Sequence, residues 1–184
     1  MHRLFVAIRP PRATREMLID LMEGLPGARW QDDEHLHLTL RFIGEVDGHR
    51  AEDIAAALGR VAHPPIEVTL SGLGRFGKPG RPRALWVGAE PRAPLKALHE
   101  QVNTLLSTVG LEPERRAYLP HVTIARLGSG TAPIDHYLSE NAGVALPPFR
   151  AEHFGLFEST LSHQGASYAM IARYPLDRAD PAAG

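Results

Sequence analysis

Apolar side chains along the chain fall into short runs and periodic stripes that mark out an alternation of strands and helices. Leu4-Phe5-Val6-Ala7-Ile8, closed by Arg9-Pro10-Pro11, predicts a buried strand over residues 3–8. Met17, Leu18, Leu21 and Met22 recur at helical spacing and predict a helix over 13–23, which Pro26-Gly27 stops. Residues 35–43 read as a strand behind the acidic turn Asp32-Asp33-Glu34 and end at Gly44. Ile54, Ala55, Leu58 and Val61 then share one side of a helix over 47–62. Strands are expected over 66–73 and 84–88, with a Gly/Pro-rich basic loop, 74–83, between them. Leu95, Leu98, Val102, Leu105 and Leu106 predict a helix over 91–109. A strand over about 118–127, a short helix near 133–140 and strands near 149–158 and 166–174 complete the chain. Residues 177–184 read as a flexible tail, leaving 1–176 as a single domain.

The order strand, helix, strand, helix, strand occurs twice. His37-Leu38-Thr39-Leu40 returns 84 residues later as His121-Val122-Thr123-Ile124. Leu4-Phe5-Val6-Ala7 aligns with Leu85-Trp86-Val87-Gly88, and Pro10 with Pro91, at an offset of 81; Gly72-Leu73 aligns with Gly155-Leu156 at 83. Small changes in offset are differences in loop length, where insertion is cheapest. The repeat implies an α+β fold of two similar lobes related by a pseudo-two-fold, each giving one motif strand to a shared groove.

A strand alternates its side chains, so each His-x-Thr-x copy puts imidazole and hydroxyl on one face and two aliphatics on the other. One such copy is weak; two in matching contexts point to a site. Two imidazoles facing each other form an acid–base pair with unperturbed pKa values of about 6.5. Such a pair suits displacement at phosphorus, where nucleophile and leaving oxygen lie roughly in line. The hydroxyls of Thr39 and Thr123 can then bind the phosphoryl oxygens.

Composition narrows the chemistry. The chain has 184 residues, 43% of them hydrophobic and 22% charged, which suits one globular protein with a substantial core. It has no cysteine, so thiolate nucleophiles, thiolate metal sites and disulfides are excluded. A net charge of −1 gives no global positive field for long nucleic acid, so RNA would be held locally. The N-terminal apolar run is too short for a membrane span or a typical signal peptide, and a cytoplasmic monomer is expected.

The two motifs resemble the paired signatures of the two-histidine (2H) phosphoesterase superfamily. Within it, residues 3–8, 35–46 and 120–126 resemble the bacterial and archaeal RNA 2′,3′-cyclic phosphodiesterases, formerly called 2′-5′ RNA ligases. The resemblance spans residues 3 to about 174. It implies a bilobal fold with two antiparallel sheets lining a central cleft, and hydrolysis of a terminal 2′,3′-cyclic phosphate to a 2′-phosphomonoester. It also implies that His121 is the general base, that His37 is the general acid, and that Thr39 and Thr123 hold the phosphate. No metal or cofactor is expected. The partners implied are RNA 3′ ends or small cyclic nucleotides.

The resemblance extends to a trailing arginine, Arg126, near the phosphate. Strict alternation puts Arg126 on the face opposite His121, so it reaches the cleft only if the strand bulges or ends before it. Arg41 has the right parity in the first copy. His35-x-His37 offers two metal ligands with no well-placed third, so His35 reads as an exposed residue at the strand entrance. In the basic loop, Arg75 and Phe76 are candidate contacts to phosphate and base, against a plain solvated hairpin loop. Phe5 and Trp86 occupy equivalent strand positions and read as core. His153 lies on a strand that lines the cleft if the fold is as implied.

Three functions compete: metal-independent cyclic phosphodiesterase, 2′-5′ RNA ligation by the same site, and a non-catalytic RNA-end binder. Turnover of a cyclic-phosphate RNA in EDTA and loss of turnover on replacing either histidine separate the first from the third.

Overall fold

The structure, a computed structural model, describes residues 1–179. The tail expected over 177–184 lies outside the described residues from 180 onward. Among the described residues nine strands and four helices occur, two strands more than the seven the apolar pattern predicts. β1 (His2–Ile8), α1 (Arg12–Asp20), the short β2 (Arg29–Trp30) and a 3-10 turn (Asp33–His35) lead into β3 (Leu38–Val46) and α2 (Gly48–Leu58). β4 (Ile66–Lys78), β5 (Arg81–Glu90), α3 (Arg92–Thr108), β6 (His121–Arg126), α4 (Asp135–Glu140), β7 (Phe149–Ala151), β8 (His153–Ser162) and β9 (Gly165–Pro175) follow.

The strands run in the order β7-β4-β5-β6-β3-β1-β8-β9, with β2 on β6, and the pairings are antiparallel. Read outward from the middle, β3-β1-β8 on one side mirrors β6-β5-β4 on the other. These are the two lobes of the repeat, joined between β3 and β6 by the pair Leu38–Val122. Those two residues follow the motif histidines, so the pseudo-two-fold passes between the motifs.

The last strand of each repeat crosses to the other half. β4 pairs with β5, and β8 pairs with β1. The crossover follows from the hairpin between the halves, because consecutive strands joined by a tight turn pair with each other. Residues 74–83, expected as a loop, are this hairpin. β4 runs on to Lys78, β5 starts at Arg81, and Pro79-Gly80 fill the turn with Gly80 at φ 76°. Its glycines and prolines hid the strand period. The strand expected over 149–158 likewise divides at Glu152, because β7 pairs with β4 in one wing and β8 with β1 in the other.

One face of the sheet packs on the helices. Leu4, Val6, Leu38, Leu40, Val122 and Ile124 join Ile54, Leu58, Leu95, Leu98 and Val102 in the main core. On the other face a small cluster of Phe5, Ala7 and Phe157 packs with Tyr168 and Met170. That face is the cleft.

Candidate active site

β3 and β6 are locked in register by Leu38–Val122. Continued by one residue in each direction, this antiparallel register sets His37 opposite Thr123 and Thr39 opposite His121, all on the cleft face. The two histidines are then diagonal neighbours, roughly 7–8 Å apart by ordinary sheet geometry, with their Cβ atoms somewhat closer. Each threonine stands beside the histidine of the other half.

His37 sits just ahead of β3, where the 3-10 turn delivers it. Asp33 anchors that turn: it accepts hydrogen bonds from Arg15 Nε at 2.8 Å and Arg9 Nη2 at 3.2 Å. The Arg15 hydrogen bond is the main reason the Asp33 carboxyl is held below the usual carboxylate range. The His37 ring is 6% exposed and lies edge-on to Phe157, Tyr168 and Phe5, with centroids 4.7, 5.5 and 5.6 Å away. Among the described residues neither ring nitrogen reaches a hydrogen-bond partner. Burial pulls its pKa down to about 4, and the His35 backbone only partly opposes the shift.

His121 is half-buried, and its Nδ1 lies 2.6 Å from the Leu119 carbonyl. A carbonyl only accepts, so Nδ1 carries the proton and Nε2 is left as a base. Burial lowers this pKa too, with the Leu119 hydrogen bond opposing. Its ring meets Phe76 edge-on at 4.8 Å and Trp86 at 5.8 Å. Phe5 and Trp86 thus stand beside their own half's histidine on the cleft face: Phe5 is buried in the small core cluster there, as expected, while Trp86 is only half-buried. Trp86 lies over Gly74, where any Cβ would come within 2.1 Å of the indole, so only glycine fits there.

A cavity of about 260 Å³ opens beside His37; Thr39, Thr123, Arg126 and Phe42 line it, with Tyr168. His121, two residues before Thr123 on β6, is not on its wall. Bulges decide which other side chains enter. Along β3 the partners of β1 step from Thr39 directly to Arg41, so Leu40 is extra; along β6 the partners of β5 step from Thr123 to Ala125, so Ile124 is extra. The second bulge carries Arg126 onto the cavity wall. The first turns Arg41 the other way: it is buried and bonded to Asn103 Oδ1 at 2.5 Å and to the Glu112 carbonyl. Its parity in an unbroken strand pointed to the cleft, and the bulge reverses that.

Phe42 takes the place Arg41 was expected to have. It is 52% exposed, with Arg3 5.7 Å over its ring. An unbroken alternation hid Phe42, and Tyr168 comes from a strand whose pairing no local pattern shows. His35 is half-buried, not exposed: Nε2 donates to the Ala166 carbonyl at 2.6 Å and the ring meets Tyr168 at 4.7 Å. Among the described residues no cluster of three or more metal-ligating side chains occurs. Arg75 is not brought to this group. It turns from the cleft and reaches Asp135, Nη1 to Oδ1 3.6 Å. His153 is half-buried near the far end of the wing, paired with Pro175, and does not line the cavity. Among the described residues no helix is long and apolar enough to cross a membrane.

Residues 10–159 match the family model described as the 2′-5′ RNA ligase superfamily. The RNA 2′,3′-cyclic phosphodiesterase of Aeropyrum pernix is 36% identical over 143 residues, 76% of this chain and 81% of that one. The protein of the same name from Thermotoga maritima is 30% identical over 177 residues, 92% of each chain. The crystal structure of Escherichia coli LigT in apo form superposes with a TM-score of 0.77 at 26% identity, covering 96% of this chain and 98% of that one. LigT complexed with 3′-AMP superposes at 0.74 and 25% identity, covering 95% and 98%.

Proposed function

The chain belongs to the 2′-5′ RNA ligase superfamily, and from that premise we propose that it hydrolyses the terminal 2′,3′-cyclic phosphate of RNA to a 2′-phosphomonoester, without a metal. The carrying observation is the register of β3 on β6, which supports two imidazoles flanking one phosphoryl group with a threonine hydroxyl beside each.

In this reading Nε2 of His121 takes a proton from water as the water oxygen bonds to phosphorus. The P–O3′ bond breaks, and His37 gives its proton to the departing 3′ oxygen. Thr39, Thr123 and Arg126 bind the non-bridging oxygens as charge builds on them. The low pKa of His121 suits a base. His37, at about 4, is neutral near pH 7 in the free protein. Arrival of the anionic cyclic phosphate supplies the counter-charge that restores its proton. Phe42 offers the base a face to stack on. The E. coli relative's complex with 3′-AMP supports a nucleotide in this cleft. Sealing of a 2′-5′ junction is the same displacement with a 5′ hydroxyl in place of water: its oxygen bonds to phosphorus, the P–O3′ bond breaks and the 3′ oxygen takes the proton, and excess water competes it out.

The test is incubation of the purified protein, in excess EDTA, with a short RNA ending in a 2′,3′-cyclic phosphate, the product being identified by chromatography. A 2′-phosphate is the expected product. His37→Ala and His121→Ala are each expected to lose about 10²- to 10⁴-fold in turnover. Binding with no product from the unaltered protein would leave an RNA-end binder instead.

A further inference from the structure

We propose that the β4–β5 hairpin and the loop after β6 form a second seat for RNA, which holds the chain upstream of the cyclic phosphate. A groove of about 840 Å³ lies there, with Arg75, Arg81 and Arg83 on the hairpin side and Ser129, Thr131 and Asp135 facing them. This rests on the cyclic phosphodiesterase reading but concerns residues outside that cavity.

The groove's charge is one-sided. Three guanidinium groups face one carboxylate, and that carboxylate engages only Arg75, at 3.6 Å between exposed groups. Such a pair is weak and yields to a stronger anion. Among the described residues Arg81 and Arg83 enter no ion pair. Guanidinium forks match phosphate oxygens, and their spread along a hairpin suits a string of phosphates better than a single ion. Pro79, Pro82 and Ile134 add an apolar rim for sugar and base edges.

Position links the groove to the cleft. Leu127, in its wall, directly follows Arg126, in the wall of the histidine cavity, and Leu127 N donates to the Arg83 carbonyl at 2.8 Å. The hairpin has two faces: Phe76 meets His121, while its neighbour Arg75 turns to Asp135. A strand leaving the cleft past Phe76 reaches the hairpin tip roughly 13 Å further on and drops onto the arginines. RNA is favoured over an acidic peptide because this path continues from the site that holds its end.

The test compares a nucleoside 2′,3′-cyclic phosphate with an RNA octamer ending in the same group. The octamer is expected to show a KM about ten-fold lower at low salt, with an advantage that shrinks as salt rises, as three phosphate contacts on a single strand require. The combined Arg75→Gln, Arg81→Gln, Arg83→Gln protein is expected to lose that advantage and its salt dependence while keeping kcat and KM for the mononucleotide within about two-fold. Equal KM values in the unaltered protein, or a full advantage in the variant, would overturn the proposal. If neither substrate turns over, the activity has failed and the groove is judged by fluorescence anisotropy. There a labelled octamer must bind the unaltered protein at least about ten-fold tighter than the variant.

Discussion

Phe42 and Arg126 occupy equivalent positions 84 residues apart, each brought to the cleft by a bulge two residues earlier in its strand. The duplicated scaffold thus delivers an aromatic ring from one half and a guanidinium from the other, and a symmetric fold acquires an asymmetric site. Arg126→Gln is expected to lower kcat/KM by about 10²-fold, chiefly in kcat, because the proposed mechanism makes it a donor to the developing phosphoryl charge. Phe42→Ala is expected to raise KM for a nucleoside cyclic phosphate about ten-fold with kcat little changed, as loss of one stacking face requires. Steady-state kinetics of the two variants separate these outcomes, and identical kcat and KM changes would contradict the division of labour.

Arg41 is a structural residue. Its guanidinium ties β3 to Asn103 on α3 and to the Glu112 carbonyl in the segment that leads to β6. Arg41→Met takes a charged donor from the Glu112 carbonyl and leaves Asn103 Oδ1 with only the Glu114 N–H, and a cost of about 1–3 kcal/mol is expected. The denaturant midpoint should fall while turnover per folded molecule stays within a few-fold. A folded, stable variant with abolished turnover would return Arg41 to the chemistry.

What the sequence makes legible follows from period and repetition. Alternation puts His37 with Thr39, and the second copy at His121 and Thr123 identifies the face that matters. The recurring order of elements gives two lobes. The bulges at Leu40 and Ile124 leave no such mark, because the extra residue is an ordinary buried aliphatic. Arg41 and Phe42 therefore exchange expected faces, and Arg126 reaches the cavity only by the irregularity its parity demanded. The exchange of β4 and β8 between wings is equally silent, since the order of elements is the same with or without it. The roof over His37, from Phe157 and Tyr168, is assembled by long-range pairing that no local pattern carries.

Both histidines titrate low in the free protein, His37 near 4 and His121 below 6.5, burial being the main cause in each. In the proposed mechanism the working form has His37 protonated and His121 neutral. Hence kcat/KM, which reports the free enzyme, is expected to be bell-shaped, its maximum lying between about pH 4 and 6.5. The kcat profile should lie higher, because the bound phosphate anion stabilises the His37 imidazolium. Initial rates at low and saturating substrate over pH 4–9 measure both. A kcat/KM profile whose alkaline limb lies above pH 7 would contradict the order of events.

The same burial makes His37 costly to the fold. Its two ring nitrogens are buried without partners among three aromatic rings, so His37→Leu is expected to stabilise the protein by about 1–2 kcal/mol at pH 7. The gain should grow on acidification. Between the unfolded pKa of 6.5 and the folded value of about 4, the unfolded state binds the extra proton, so the stability of the unaltered protein falls as pH drops through that window. The loss attributable to His37 approaches about 3 kcal/mol by pH 4. Urea midpoints of the two proteins at pH 7, 6, 5 and 4.5 should therefore diverge steadily, with the leucine variant inactive but the more acid-resistant. Parallel midpoints across that range would mean that His37 is hydrated, and that its depressed pKa and its place as a buried proton donor are both wrong.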